Sequence, residues 1–160
     1  MDAQWAVFDL DGTLADTRHR LRFVAGAARD WDAFFAAAPD DLPLAEGVAL
    51  VRRFTGDGHR IAYVTGRPER CRADTVDWLR RYGLPDGDLV MRGARDRRPA
   101  RETKLELLRR LGGPAQVAVV VDDDSQVCDA YERAGFSVVR ATWMTASATL
   151  ARAQHDDGRT

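Results

Sequence analysis

Trp5-Ala6-Val7-Phe8-Asp9-Leu10-Asp11-Gly12-Thr13-Leu14 is the stretch that decides the fold. Four apolar, β-favouring residues deliver two carboxylates, Asp9 and Asp11, into a loop that begins with Gly12. In a doubly wound sheet, ligands bind just beyond the carboxyl ends of the parallel strands. A buried strand ending in D-x-D-G-T therefore aims both acids at the expected crevice. One carboxylate of such a pair can hold a hard cation or attack phosphorus to form an acyl phosphate. The other sits close enough to donate and then accept a proton. The alternative is a glycine turn whose aspartates only solvate it. A chance match in a chain of this length is roughly a one-in-a-thousand event, which favours chemistry.

Outward from this stretch, apolar runs alternate with segments of helical period. Asp16 or Thr17 caps an expected helix that turns Leu21, Val24, Ala25 and Ala28 inward, with Arg18, His19, Arg20 and Arg22 near its start and close to the expected site, where a solvated face is the favoured reading over a site role. Asp30 caps a short helix whose Trp31, Phe34, Phe35 and Ala38 read as core or as a small lid, and 39–43 reads as a loop. From Leu44 a helix places Val48, Val51 and Phe54 inward and ends at Gly56 and Gly58. Arg60 to Val64 is a second buried strand, followed by Thr65-Gly66-Arg67-Pro68, with Pro68 suited to the first turn of the next helix. That helix buries Val76, Leu79 and Tyr82 and stops at Gly83. Asp88 to Met91 is a short strand, and Arg92, Arg95, Arg97, Arg98 and Arg101 lead into a helix with Lys104, Leu105, Leu108 and Leu111. Gln116 to Val121 is the most strand-like run and empties into Asp122-Asp123-Asp124. A helix with Val127 and Tyr131 precedes a last strand, Phe136 to Arg140. Residues 144–160 are expected to form a weakly structured tail after a domain of residues 1–143.

This alternation predicts an α/β fold: a Rossmann-like, doubly wound parallel sheet flanked by helices. Right-handed crossovers bring the strand ends to one edge. Asp9, Asp11, Thr65 and Asp122 to Asp124 all follow strands directly, and Lys104 arrives on a loop or helix start.

The 160 residues are 45% hydrophobic, enough for one domain with a sizeable core. A net charge of −1 gives no global attraction to nucleic acid or to an anionic membrane, so any such affinity must be local. No stretch approaches the ~20 apolar residues of a membrane span, and no basic-then-apolar leader precedes the first strand. Cys71 and Cys128 lack metal or redox spacing and read as small buried hydrophobes in a reducing, cytoplasmic setting. The chain has one lysine, Lys104, against 23 arginines, with one isoleucine and no asparagine. A GC-rich genome explains that bias, and surface lysines drift readily to arginine under it. A lysine that persists stands out, because a compact ammonium and a planar guanidinium are not interchangeable.

Four segments occur in order: D-L-D-G-T-L from Asp9, the Thr65 of V-T-G-R-P, the Lys104 of E-T-K-L, and V-V-V-D-D-D ending at Asp124. In type and order they resemble the four motifs of the haloacid dehalogenase-like phosphohydrolases. The resemblance implies Asp9 as nucleophile and Asp11 as general acid and base. Phosphoryl transfer from a monoester needs an in-line nucleophile, a proton donor, cations around the equatorial oxygens, and a metal. Thr65, with its hydroxyl and the N–H groups of a helix start, would grip a phosphate oxygen. Lys104 would neutralise charge on nucleophile and phosphate. Asp122 and Asp123 would hold Mg²⁺ with Asp9 and the backbone carbonyl of Asp11. Oxygen-only ligands with no His or Cys nearby point to Mg²⁺ rather than zinc. Asp11 must carry a proton in the leaving-group step, so a raised pKa is expected from burial and its acidic neighbours.

Cap domains in this family are inserted after the first motif or between the second and third. Both intervals are short here, so a minimal cap or none is expected, leaving a site open to a bulky substrate. T-G-R-P-E-R, the L-V-M-R run with its arginine-rich continuation, and V-D-D-D-S-Q-V are similar to the 3′-phosphatase domain of polynucleotide kinase-phosphatases, from Ala6 to about Trp143. That resemblance implies phosphate contacts from Gly66 and Arg67, DNA or RNA 3′ ends as substrate, and no kinase half, since G-x-x-x-x-G-K-[ST] is absent. Arg92 and Arg95, in the strip from Arg92 to Arg101, could hold a phosphate backbone. The strip reads equally well as a solvated loop balanced by Asp96 and Glu102. A nucleotidase or small-metabolite phosphatase, with Trp31 to Ala38 as lid, is the second reading, and a non-catalytic binding module the third.

Overall fold

The computed structural model describes residues 2–145 and 147–160. Met1 and Ala146, which the expected domain and tail ranges include, lie outside the described residues. In chain order the elements are β1 (Trp5–Phe8), β2 (Ala15–Asp16), α1 (Trp31–Ala36), β3 (Leu42–Pro43), α2 (Ala45–Gly56), β4 (Arg60–Pro68), α3 (Arg72–Arg81), β5 (Asp88–Arg92), α4 (Ala100–Leu111), β6 (Val117–Asp122), α5 (Ser125–Arg133), β7 (Val138–Arg140) and α6 (Ala148–Asp157). The five long strands form one sheet in the order β5-β4-β1-β6-β7. Every pair in it is parallel. β2 and β3 form a separate antiparallel ribbon.

Alternation along β1 explains why the sheet is covered on both faces, since successive side chains of a strand point to opposite sides. Ala6 and Phe8 pack with Val48, Val51, Trp78 and Leu79 of α2 and α3. Trp5 and Val7 pack with Leu107, Leu108, Val127 and Tyr131 of α4 and α5. From β1 the chain builds outward through β4 and β5, then returns to place β6 on the other side of β1. The crevice of a doubly wound sheet lies where the strand order reverses in this way. Here that point is between the carboxyl ends of β1 and β6, where Asp9 and Asp122 stand.

Four segments differ from the sequence expectation. In 39–43 the expected loop is occupied by the end of a 3-10 helix, Ala38–Asp40, and by the strand β3. Arg18–Phe23 is a 3-10 helix, and Gly26, at φ +85°, ends the segment before Ala28 can continue a helix. β4 runs on through Pro68, pairing with Arg92 after an irregularity between Thr65 and Pro68, and α3 starts only at Arg72. Thr65 is therefore a strand residue and not a helix start, while Pro68 ends the strand and takes the N-cap position of a 3-10 turn, Glu69–Cys71, that leads into α3. The tail carries a ten-residue helix, α6, capped by the Ser147 side chain, which accepts from the Leu150 N–H. Leu150 and Ala153 bury against Trp31, Phe34 and Phe35, and that packing orders a segment whose own pattern is weak. No helix among the described residues is long and apolar enough to cross a membrane.

Candidate active site

The Asp9 N–H donates to Val121 O at 2.9 Å, which locks the end of β1 to β6 one residue before Asp122. Carboxylate oxygens of Asp9, Asp122 and Asp123 consequently lie within 4.8 Å of one another. Lys104 reaches in from α4, and its Nζ donates to Asp9 Oδ1 at 2.7 Å and to Asp122 Oδ2 at 2.8 Å. Asp9 Oδ2 accepts from Thr13 Oγ1 at 3.0 Å, and Asp122 Oδ1 accepts from the Asp124 N–H. Burial works against the Lys104 ammonium, but Asp122 and Asp9 outweigh it and hold its pKa well above the usual value. The carboxyls of Asp122 and Asp123 are both pushed up, first by burial and then by Asp9.

Three crowded oxygen donors, two of them sharing one ammonium, form a set that a small, hard divalent cation would relieve, so these residues fit Mg²⁺. Gly12 is part of that fit. Its φ of +83° disfavours any side chain, and a Cβ there would stand 2.1 Å from Asp123 Oδ2.

The Asp11 side chain faces the other way. Its Oδ1 accepts from Arg20 Nη2 at 2.8 Å, Arg67 Nη2 at 2.6 Å and Arg67 Nε at 3.0 Å. Behind the two guanidiniums, Asp41 accepts from Arg20 Nε and Nη2 at 2.8 and 2.7 Å and from Arg67 Nη2 at 3.2 Å. His19 Nε2 lies 2.6 Å from the same Asp41 carboxylate. Burial alone would raise the Asp11 pKa, but Arg20, Arg67 and Lys104 together hold it below the usual carboxylate range. This corrects the expected upward shift: the other acids cluster on Asp9, and the groups touching Asp11 are cations. Asp11 Oδ2 is buried with no partner.

Asp9, Asp11, Thr65, Gly66, Lys104 and Asp123 open onto a cavity of about 240 Å³. Thr65 Oγ1 accepts from the Arg67 N–H at 3.1 Å, which turns this strand end around the site. Arg92 is not at the surface. It is fully buried, and its guanidinium donates to the carbonyls of Gly66, Asp96, Arg98 and Thr160 and to Thr103 Oγ1. It ties loops together and has no face left for a nucleic-acid backbone, because strand alternation carries it inward from β5. Arg95 is exposed and does not line the cavity. Within the strip, Arg98 pairs with Asp96 and Glu106, and Arg97 donates to nearby carbonyls. The strip is thus largely satisfied by its own loop and α4, with Glu106 where Glu102 was expected.

Sequence reasoning put Arg20 near the site but favoured a solvated face for it, and it missed Asp41. Arg20 is 0% exposed, although Arg18 beside it is largely in solvent. Nothing local separates the two, because what buries Arg20 is a pair of acids distant in the chain. The expected small insertions are present, but the open approach they implied is narrowed by α6, whose Leu150 and Gln154 form part of the cavity wall.

An aspartate pair after β1, a lysine-bridged acid cluster after β6 and this sheet order together define a haloacid dehalogenase-like phosphatase. The family described as the polynucleotide kinase PNKP phosphatase domain matches residues 3–143, and the chain belongs to it. Among solved structures, a chain of the Pnkp1/Rnl/Hen1 RNA repair complex is similar at TM-score 0.73 and 23% identity, over 88% of this chain and 44% of that one. A second Pnkp1/Rnl/Hen1 structure gives TM-score 0.70 and 26% identity over 87% and 45%. A haloacid dehalogenase-like family hydrolase from Streptococcus pneumoniae is similar over 96% of this chain and 92% of its own, at TM-score 0.61 and 15% identity, which is a likeness of fold. The chain spans less than half the length of the two Pnkp1/Rnl/Hen1 chains. No curated protein sequence matches it.

Proposed function

We propose that the chain is a Mg²⁺-dependent phosphomonoesterase that works through a phosphoryl group on Asp9 and removes 3′-phosphate from nucleic-acid ends. The observation that carries the chemistry is the Asp9 carboxylate, fixed by Lys104 and Thr13 beside Asp122 and Asp123 and facing a cavity. Asp9, Asp122, Asp123 and the backbone carbonyl of Asp11 would hold Mg²⁺, which supplies positive charge to the transferring phosphoryl oxygens.

Asp9 attacks phosphorus, the bond to the leaving oxygen breaks, and Asp11 gives that oxygen a proton. Asp11 then takes a proton from water as the water attacks the phosphoryl group on Asp9, releasing phosphate and regenerating the carboxylate. Asp11 Oδ2, the oxygen without a partner, would be the atom that makes both transfers. Arg20 and Arg67, both buried, hold this carboxyl ionised in the resting site, while its burial favours the protonated form that the leaving-group step needs. Lys104 keeps the nucleophile oriented and offsets charge accumulating on phosphate. The buried free thiols of Cys71 and Cys128 suit a reducing, cytoplasmic setting.

For the substrate, the support is membership of the phosphatase-domain family and the short intervals between motifs. A small-metabolite monoester is the second reading, favoured by a cavity below the about 300–1,000 Å³ of common small-molecule sites. Rates on a 3′-phosphorylated oligonucleotide and on a mononucleotide panel separate the two. Preference for the oligonucleotide, weakening as salt rises, is the result expected. Equal rates with equal salt response would reject the nucleic-acid substrate.

A further inference from the structure

The segment 147–160 crosses the mouth of the active site. Its helix α6 puts Leu150, Ala151, Gln154 and His155 into the cavity wall opposite Asp9 and Lys104. Beyond the helix, Gly158 turns at φ +57° so tightly against Arg97 that a Cβ would meet its carbonyl oxygen at 1.9 Å. The chain then reaches the Thr65-Gly66-Arg67 turn, where a Cβ on Gly66 would stand 2.3 Å from the Thr160 carbonyl carbon.

The end of the segment is anchored, with Arg92 Nη2 donating to Thr160 O at 3.2 Å, but what holds α6 itself is limited. Arg29 Nη1 donates to Asp157 Oδ1 and Arg29 Nη2 to Asp156 Oδ2, both at 3.0 Å. Trp31 Nε1 donates to Asp157 Oδ2 at 2.7 Å. The apolar seat is Leu150 and Ala153 on the Trp31, Phe34 and Phe35 cluster. Asp156 and Asp157 remain 47% and 31% exposed, so water and salt compete for the pairs. An element with few buried apolar contacts and a solvated ion-pair latch belongs to the low-stability end of a fold.

We propose that residues 147–160 are a latched cap: shut, it admits a small phosphomonoester, and a polynucleotide end reaches Asp9 only after Asp156 and Asp157 release Arg29. The inference rests on the phosphatase reading above and adds to it a gate that sorts substrates by size. Two features make the gate responsive to its own substrate. A polynucleotide needs more room than the narrowed cavity gives, and its backbone phosphates offer Arg29 an alternative partner to the two aspartates. The apparent affinity for a strand end is then reduced by the fraction of molecules with the cap open.

The test uses the full chain with two variants, D156N/D157N, which removes the latch charge, and A153D, which puts a carboxylate into the aromatic seat. Neither touches the catalytic groups. For each, kcat/KM is measured on p-nitrophenyl phosphate, a 3′-mononucleotide and a 3′-phosphorylated single-stranded oligonucleotide, with amide exchange of 148–157 followed in parallel. Exchange in the helix should speed up, the oligonucleotide value should rise about fivefold, and the p-nitrophenyl phosphate value should stay within about twofold. Faster exchange in A153D with an unchanged or lower oligonucleotide value would overturn the cap. If all forms cleave p-nitrophenyl phosphate and none cleaves the oligonucleotide, the nucleic-acid reading fails. The cap is then scored by inhibition of p-nitrophenyl phosphate hydrolysis by the same oligonucleotide, where tighter inhibition on unlatching supports it and equal inhibition overturns it.

Discussion

Lys104→Met is the perturbation that asks most of the site. Lys104 is 5% exposed, and its ammonium lies 2.7 and 2.8 Å from carboxylate oxygens of two different strand ends. Methionine keeps the length of the stem and removes the charge, leaving Asp9 and Asp122 buried against each other. Breaking a buried pair by deleting one partner costs about 3–5 kcal/mol. At about 2–4 °C per kcal/mol for a chain of this size, Tm in EDTA should fall by roughly 6–20 °C. The same variant has one more unbalanced negative charge around Asp9, Asp122 and Asp123, so a divalent cation should recover part of the loss. At about 100 times its Kd, a bound ion adds about 2.7 kcal/mol. The assay is a thermal melt of parent and variant with and without Mg²⁺, beside the rate on p-nitrophenyl phosphate, which should fall about 10²–10³-fold. A larger Mg²⁺-induced rise in the variant than in the parent is the expected signature. Equal rises, or a variant as stable as the parent in EDTA, would refute an ammonium that neutralises metal-site carboxylates.

Arg20→Met leaves Asp11 and Asp41 with only part of their cationic partners and should destabilise the fold by about 3–5 kcal/mol, read by denaturant titration, while lowering the hydrolysis rate. Gly12→Ala must strain the turn and displace Asp123, so Mg²⁺ affinity, measured by calorimetry, should weaken by about 10–100-fold. Asp96 is held well below the usual carboxylate range, first by its bonds to Arg98 and also by Thr103 and Arg92. Its contribution to stability is therefore complete above an unfolded-state value near ~4 and is lost as pH falls toward the lower folded-state value. The gap in unfolding free energy between parent and Asp96→Asn should be widest above about pH 4 and close on acidification.

The parts of the site legible in the sequence were those delivered by strands. β1 and β6 are short, apolar and buried on both faces, so their ends could be placed and Asp9, Asp122 and Asp123 with them. Lys104 stood out because composition had stripped every other lysine away. Arg20 and Arg92 were illegible for the same physical reason, in opposite settings. A guanidinium goes inside only when acceptors surround it, and those acceptors (Asp11 with Asp41, and four backbone carbonyls, two of them in the neighbouring loop) take their places only in the finished fold. The Asp11 pKa failed for a related reason: Arg67 and Lys104 read as phosphate contacts in the sequence, and nothing local shows that Arg20 and Arg67 close on the Asp11 carboxylate. α6 escaped because its order comes from Trp31, Phe34 and Phe35, far earlier in the chain.

The central claim is that the Asp9 carboxylate itself takes the phosphoryl group. The direct measurement is to quench a steady-state reaction in acid, reduce any acyl phosphate with borohydride to homoserine, and locate that residue by peptide mass spectrometry. Homoserine at position 9 in the parent, and at no position in Asp9→Asn, is the result predicted. Homoserine at position 11, or hydrolysis continuing in Asp9→Asn, would contradict it.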